Sequence, residues 1–207
     1  MEVHELAGAD GWDLTAGVDE AGRGPWAGPV VAAAVILGDH VPPGVTDSKL
    51  LTPARREQLY EEILATAIAV AYWAVSPRRI DAANVLRASL VAMRQAVLAL
   101  PVAPGRVLVD GPWLVPNLPV PQQPLVKGDR EHPAISAASI IAKVTRDRMM
   151  RFWDRVYPEY GFAAHKGYGT PQHRNALSRL GPCPLHRRSF APVVATQLKL
   201  EWVVPAP

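Results

Sequence analysis

The chain has 207 residues, of which 49% are hydrophobic and 20% charged, a composition typical of a soluble globular protein. We therefore predict a single domain over residues 1–207. The lone cysteine, Cys183, excludes an internal disulfide and a cysteine-rich zinc site. The formal net charge of +3 is compatible with nucleic-acid binding but does not demonstrate it.

The basic residues are clustered along the chain, and each cluster is either a solvated helix face or a surface for nucleic acid. The clusters are Arg55-Arg56, Arg78-Arg79, Arg146 with Arg148 and Arg151, and Arg187-Arg188. The longest apolar runs are too short to cross a bilayer as helices, and the N-terminus lacks the features of a signal peptide. We expect a cytoplasmic protein that does not associate with membranes.

The first third of the chain predicts two strands, Thr15–Val18 and Pro29–Leu37, joined by a glycine-rich turn. The second is a continuous apolar run, as expected of a strand covered on both faces. The short connection predicts an antiparallel hairpin. Thr52-Pro53 supplies an N-cap and a first helical residue for a helix over Ala54–Leu64, and Ala67–Val75 reads as another strand.

The rest of the chain continues to alternate helices with strands. In order, we predict a helix at Asn84–Leu100, a strand at Arg106–Val109, an irregular connection at Pro112–Pro124, a long helix at Ile135–Val156, a helix from Thr170-Pro171 to Gly181, and a proline-punctuated tail over Pro182–Pro207 that ends in a short apolar strand. This alternation, together with the hairpin, predicts an α/β domain with a mixed sheet.

Acidic residues follow two of these strands. Asp19 and Glu20 come after the first, and Asp110 comes after Arg106–Val109; Asp129 precedes the long helix. As isolated residues they are equally well explained as turn residues. If the acids meet, their like charges call for a divalent cation, and oxygen ligands without histidine or cysteine favour Mg²⁺ or Mn²⁺ over Zn²⁺.

The glycine-rich segment Gly22-Arg23-Gly24 adjoins the first acidic pair. Glycines let the backbone approach a ligand closely, and an arginine can bind a phosphate through two hydrogen bonds. No helix is predicted to follow directly, which argues against a Rossmann or P-loop site. Beside two acids, the segment predicts a place where a nucleotide is held next to a metal ion.

The sequence resembles a known family, type 2 ribonuclease H (bacterial ribonuclease HII). The matching blocks are Gly17–Val35, Asp47–Thr52, Ile135–Arg148, His165–Thr170 and His186–Phe190, in the family's order. The resemblance implies a ribonuclease H-like fold: a central mixed five-stranded sheet flanked by helices, with a helical C-terminal extension from about residue 158.

The resemblance also implies the site. Asp19, Glu20, Asp110 and Asp129 match the family's catalytic and metal-binding acids, with Asp47 and Asp147 as competitors for the last position; Asp147 is alternatively an i,i+4 partner of Lys143. Gly22, Arg23 and Gly24 match the segment that contacts the ribonucleotide. Tyr168 matches a tyrosine that stacks on the following deoxyribose, although an aromatic residue in a glycine-rich turn is also explained by packing. Phosphate contacts are expected at Lys49, Ser139 and Lys143.

The function so implied is hydrolysis of the RNA strand of RNA–DNA hybrids and cleavage on the 5′ side of single ribonucleotides in duplex DNA. Two Mg²⁺ or Mn²⁺ ions, 3′-hydroxyl and 5′-phosphate products, a role in removing misincorporated ribonucleotides and a monomeric state belong to the same expectation. Protein partners are not indicated. Three alternatives stay open: a DNA-directed nuclease of the same fold, a non-catalytic nucleic-acid-binding module, and a phosphotransferase of a related fold.

Overall fold

The computed structural model describes residues 14–203, with side chains over residues 14–197. A five-stranded sheet lies at its centre in the order β3-β2-β1-β4-β5. The strands are β1 (Thr15–Ala21), β2 (Val30–Ile36), β3 (Ala69–Val75), β4 (Arg106–Asp110) and β5 (Gln122–Leu125).

The pairing of the strands confirms the predicted hairpin and the predicted mixed sheet. β1 and β2 are antiparallel, as are β2 and β3. β4 and β5 run parallel to β1. All seven residues of β2 are buried, which agrees with the continuous apolar run and with cover on both faces of the sheet.

The described residues contain eight α-helices. They are α1 (Pro53–Thr66), α2 (Pro77–Ala83), α3 (Val85–Leu98), α4 (Gly128–Glu131), α5 (Pro133–Val156), α6 (Phe162–His165), α7 (Pro171–Leu180) and α8 (Ala191–Val203). The predicted caps are confirmed: the side chains of Thr52 and Thr170 accept backbone N–H bonds at the starts of α1 and α7. Along residues 14–203, no helix combines the length and hydropathy needed to cross a membrane.

Two apolar cores cover the two faces of the sheet. On one face α3 packs Ala92, Met93 and Ala96 against the strands. On the other face α1 and α5 contribute side chains such as Ile63 and Ile140. A third, smaller cluster joins the end of α5 to the C-terminal helices, and it includes the buried Cys183.

Gly17 permits a close approach between β1 and α5. A Cβ atom at this position would overlap the backbone of Ala134 and Ile135. Any larger residue would therefore push the start of α5 away from the sheet. The contact brings the segment that precedes α5, including Asp129, to the edge of the sheet where β1 ends.

Two predictions along the chain are wrong, and one helix had no prediction. The connection Pro112–Pro124 is not wholly irregular, because Gln122–Leu125 pairs with β4; Pro124 is tolerated since β5 is an edge strand. The tail contains no strand up to residue 203: Ala191–Val203 is helical, with Pro192 in the first turn, where a proline is compatible with a helix, and with Val193 buried. Helix α2 was not predicted. The end of the tail, residues 204–207, and the N-terminal residues 1–13 lie outside the described residues.

Candidate active site

The carboxylates of the site come from neighbouring parallel strands. Val18 of β1 is in register with Val109 of β4, so that Asp19 and Asp110, the next residues, lie side by side. Asp19 and Glu20 belong to β1 and do not follow it as predicted, because pairing with Ala33 and Ala32 of β2 continues the strand. The pairing of β1 with β4 therefore fixes the positions of the Asp19 and Asp110 side chains.

Asp129 completes a cluster of three carboxylates. It lies in α4, and its backbone N–H donates to Oδ1 of Asp110 over 3.3 Å. One carboxylate oxygen from each of Asp19, Asp110 and Asp129 lies within 4.8 Å of the others. Oxygen donors at this mutual distance suit a hard divalent cation such as Mg²⁺. The convergence predicted from the sequence is thus observed for these three acids.

The like charges of the cluster are reflected in its proton affinities. Burial raises the pKa of Asp19 well above its usual range, and the neighbouring charges of Glu20 and Asp110 raise it further. Burial also raises the pKa of Asp110, with a further increase from Asp129. Without a cation the cluster is therefore electrostatically strained, and a bound cation would relieve that strain.

Glu20 lies beside the cluster but is held differently. Its carboxylate is 3.3 Å from Nη1 of Arg23, and its backbone N–H donates to Oδ1 of Asp19 over 2.6 Å. Burial raises its pKa, and the charge of Arg23 partly opposes that increase. Glu20 therefore connects the carboxylates to the glycine-rich segment.

A cavity of about 400 Å³ opens above these acids. Among its lining residues are all the predicted site residues except Asp129, which is buried: Asp19, Glu20, Gly22, Arg23, Gly24, Lys49, Asp110, Ser139, Lys143 and Tyr168. A cavity lined by both acidic and basic side chains can hold a phosphate-bearing ligand against bound metal ions.

Lys49 supplies positive charge at the rim. Its ammonium group lies 3.5 Å from Asp129 and 4.0 Å from Asp47. Burial lowers the pKa of this lysine, but the nearby charges of Asp47, Asp129 and Asp19 outweigh it, so the pKa is raised overall. Lys49 therefore stays charged and partly compensates the acids.

The two competitors of Asp129 have other partners. Asp47 is buried, accepts a hydrogen bond from the backbone of Lys49 and lies 3.3 Å from Arg130. Asp147 lies 2.7 Å from Lys143, the i,i+4 pair that the sequence offered as the alternative. Of the acids in the described residues, Asp129 and not these two joins Asp19 and Asp110.

Ser139 and Lys143 occupy one face of α5, one turn apart, and both line the cavity. The hydroxyl groups of Ser139 and Ser48 lie 2.8 Å apart, which ties α5 to the segment that carries Lys49. Burial lowers the pKa of Lys143, and the hydrogen bond to Asp147 opposes this change. The spacing predicted from the sequence therefore places both polar groups at the site.

Two buried arginines, whose role the sequence did not reveal, hold the loop between β1 and β2 from behind. Arg187 is fully buried and donates to the carbonyl oxygens of Gly22, Arg23 and Gly28. Arg146, also fully buried, donates to the carbonyl oxygens of Ala27, Pro29 and Lys166. Within residues 14–197 neither forms a salt bridge with a carboxylate.

These contacts correct the interpretation of two basic clusters. Arg146 and Arg187 were predicted to lie on solvated helix faces or on a nucleic-acid surface, and both are instead interior residues. Their signal in the sequence was the pair of family-like blocks that contain them, but those blocks do not reveal which carbonyl groups they bind. Because their guanidinium groups hold the carbonyl oxygens, the backbone of the loop between β1 and β2 is fixed around its positive φ at Gly22.

Tyr168 forms the opposite wall. Its ring is 44% exposed and lies near Gly24 across the cavity. Nζ of Lys143 and the guanidinium of Arg146 are about 6 Å from its centroid. An exposed aromatic ring near cationic groups is a suitable surface for stacking a nucleotide.

The comparisons with known proteins agree with one another. The ribonuclease HII family model matches residues 16–193. Ribonuclease HII of Dichelobacter nodosus (strain VCS1703A) is 56% identical over 183 residues, covering 88% of this chain and 96% of the relative. Ribonuclease HII of Acidovorax sp. (strain JS42) is 60% identical over 181 residues, covering 87% of this chain and 86% of the relative.

Solved structures give the same answer for the fold. Ribonuclease H2 from Pyrococcus horikoshii OT3 has a TM-score of 0.76 and 29% identity, covering 90% of this chain and 98% of that one. Ribonuclease HII from Archaeoglobus fulgidus, solved in complex with PCNA, has a TM-score of 0.71 and 29% identity, covering 84% of this chain and 93% of that one. The predicted ribonuclease H-like fold is confirmed.

Proposed function

The chain belongs to the ribonuclease HII family, and on this premise we propose that it cuts duplex DNA on the 5′ side of a single embedded ribonucleotide. It also hydrolyses the RNA strand of RNA–DNA hybrids, and its products carry 3′-hydroxyl and 5′-phosphate ends. The observation that carries the proposal is the position of three converging carboxylates beside the segment Gly22–Gly24.

The metal centre is formed by Asp19, Glu20, Asp110 and Asp129. Three of these offer oxygens within 4.8 Å of one another, and the raised pKa values of Asp19 and Asp110 indicate unrelieved negative charge. This donor set fits two Mg²⁺ or Mn²⁺ ions. When bound, such ions activate a water molecule and stabilise the departing 3′-oxygen.

The remaining side chains bind and orient the substrate. Arg23 and Lys49 attract phosphates at the rim, and Ser139 and Lys143 contact the strand from α5. The backbone around Gly22 and Gly24 recognises the ribose 2′-OH, the group that distinguishes RNA from DNA locally.

Tyr168 stacks on the sugar that follows the ribonucleotide. The cavity thus lies between a wall that reads the 2′-OH and a wall that prefers a deoxyribonucleotide, which selects an RNA–DNA junction. The biological role that follows is removal of misincorporated ribonucleotides. We propose, from the resemblance to the family, that the protein acts as a monomer in the cytoplasm.

The test is cleavage of a duplex with one ribonucleotide, in Mg²⁺ and in Mn²⁺, by the wild type and by Asp19→Asn. Matched duplexes carry deoxyribose or 2′-O-methylribose at the same position. We expect cleavage of the ribonucleotide duplex alone, and its loss in Asp19→Asn. Cleavage of the all-DNA duplex would favour a DNA-directed nuclease, and binding without cleavage would favour a non-catalytic module.

A further inference from the structure

Three histidines lie behind the turn that carries Tyr168, and the proposed function gives them no role. His165, His173 and His186 are all buried. The rings of His165 and His173 are stacked with centroids 4.4 Å apart. The Nε2 atoms of His173 and His186 lie 3.0 Å apart. A side-chain contact between two imidazoles requires one to donate and the other to accept, so its direction can be worked out from their other partners.

The hydrogen bond from Cys183 determines which ring nitrogen of His186 carries the proton. The backbone N–H of Cys183 donates to Nδ1 of His186 over 3.0 Å, so Nδ1 carries no proton. The neutral imidazole then has its proton on Nε2. His186 therefore donates from Nε2 to Nε2 of His173.

The contact between His173 and Tyr168 gives the same direction for the His186–His173 bond independently. Nδ1 of His173 lies 2.9 Å from the carbonyl oxygen of Tyr168, which can only accept. Nδ1 of His173 therefore carries the proton, and its Nε2 is the acceptor for His186. Only one order of protons satisfies both ends: Cys183 to His186, His186 to His173, and His173 to Tyr168.

The neighbouring His165 supports the same turn. The backbone N–H of Gly167 donates to its Nδ1 over 3.1 Å, and Nε2 therefore donates to the carbonyl oxygen of Tyr160 over 2.8 Å. Imidazoles from the interior thus hold the Lys166–Gly167 peptide unit and the Tyr168–Gly169 peptide unit, and backbone bonds with Trp26 and His165 hold the unit between them. The Tyr168 carbonyl also accepts from the backbone N–H of Thr170 over 2.8 Å, so the His173 bond fills its remaining lone pair.

Glycines on either side of Tyr168 make the turn dependent on contacts with its surroundings, which include the imidazole bonds and the backbone bond from Trp26 to Gly167. Gly167 has a φ of +85°, and a Cβ there would overlap the carbonyl of Ala27; a Cβ at Gly169 would overlap the ring of Trp26. Such a turn fits tightly but has little intrinsic conformational preference, because glycine accesses many backbone conformations. Its orientation must therefore come from external contacts.

We propose that His173, oriented by His186, is a positioning residue that holds the Tyr168 carbonyl and thereby keeps the Tyr168 ring in place beside Gly24. The proposal rests on the proposed function, in which Tyr168 contacts the substrate. His173 touches no substrate, and its effect on cleavage passes through Tyr168.

The experiment uses substitutions of His173 that keep one of its two nitrogen positions. The amide nitrogen of Asn matches Nδ1 and can still donate to Tyr168, whereas Gln reaches the position of Nε2. We expect His173→Ala and His173→Gln to lower kcat/KM on the single-ribonucleotide duplex by roughly tenfold, the effect of one hydrogen bond. We expect His173→Asn to stay within about threefold of the wild type. Asn175→Ala, an exposed change on the same helix, is the control.

A double-mutant cycle with Tyr168→Ala separates positioning from general stability. If His173 acts through Tyr168, His173→Gln should cost less than about twofold in the Tyr168→Ala background. An equal loss in both backgrounds would overturn the proposal, as would equal activities of the Asn and Gln variants. If Tyr168→Ala itself leaves cleavage unchanged, it is the substrate contact in the proposed function that fails. Thermal unfolding identifies any variant that does not fold. If His173→Ala does not fold, the comparison of His173→Asn with His173→Gln still tests the proposal, because both replacements are polar.

Discussion

Arg187→Met should both destabilise the protein and weaken cleavage at a single ribonucleotide. The guanidinium of Arg187 donates to three carbonyl oxygens, at distances from 2.5 to 3.1 Å, in the loop that begins at Gly22. Methionine fills a similar volume but donates no hydrogen bond, so these acceptors lose their partners.

The magnitude follows from two opposing effects. Each carbonyl left buried without a donor costs about 1–3 kcal/mol. Against this, methionine removes a buried charge, whose desolvation is the main reason that the pKa of Arg187 is lowered to about 9. We expect a net loss of roughly 3 kcal/mol in the free energy of unfolding. Release of the loop should also reduce single-ribonucleotide cleavage by at least about tenfold, the equivalent of 1.4 kcal/mol in the transition state.

Urea unfolding and single-turnover cleavage measure the two effects. Arg188→Met is the matched control, because Arg188 is adjacent and exposed. Arg187→Lys keeps the positive charge but not the planar guanidinium group. Its losses of stability and of cleavage should lie between those of Arg187→Met and Arg188→Met. If Arg187→Met matched Arg188→Met in both stability and cleavage, the account of the loop would be refuted.

Three further predictions concern charge, pH and space in the same region. Asp19→Asn should raise the melting temperature in EDTA, because it removes one of the repelling charges, and should reduce the additional stabilisation by Mg²⁺; differential scanning fluorimetry checks both. Burial lowers the pKa of His173 and His186 to about 4, so the unfolded chain takes up protons first as the pH falls below about 6.5. The wild type should therefore lose stability relative to His186→Asn between pH 6.5 and about 4, by at most about 1.4 kcal/mol per pH unit, in urea titrations. Gly169→Ala should lower the melting temperature, because its methyl would overlap an indole ring. Gly24→Ala should fold normally and lose cleavage, because its Cβ would meet only the ring of Tyr168, at an ordinary contact distance of 3.8 Å.

The fold could be predicted where one local signal dominates. The apolar run of β2 and the threonine caps of α1 and α7 needed no information from distant residues. β5 could not be predicted, because Gln122–Leu125 has neither alternation nor β-branched residues and is a strand only through its pairing with β4. The tail was misinterpreted for a related reason, since a short apolar stretch suits either a strand or a buried helix face.

The residues of the site likewise fall into those that a local pattern predicts and those that only the fold reveals. Asp19, Asp110 and Asp129 could be proposed because the sequence pattern puts each near the end of a predicted strand or the start of a predicted helix, and such positions meet at one edge of a parallel pair of strands. Arg187 could not, since it lies 159 to 165 residues from the carbonyls it binds, and nothing in its own neighbourhood shows that it is buried. His173 is similar: the order of protons that gives it a direction exists only once His186 is placed beside it. Groups that would bind metal are recognisable from local pattern, whereas groups that hold the substrate-binding loops depend on contacts between distant segments, and these require the fold.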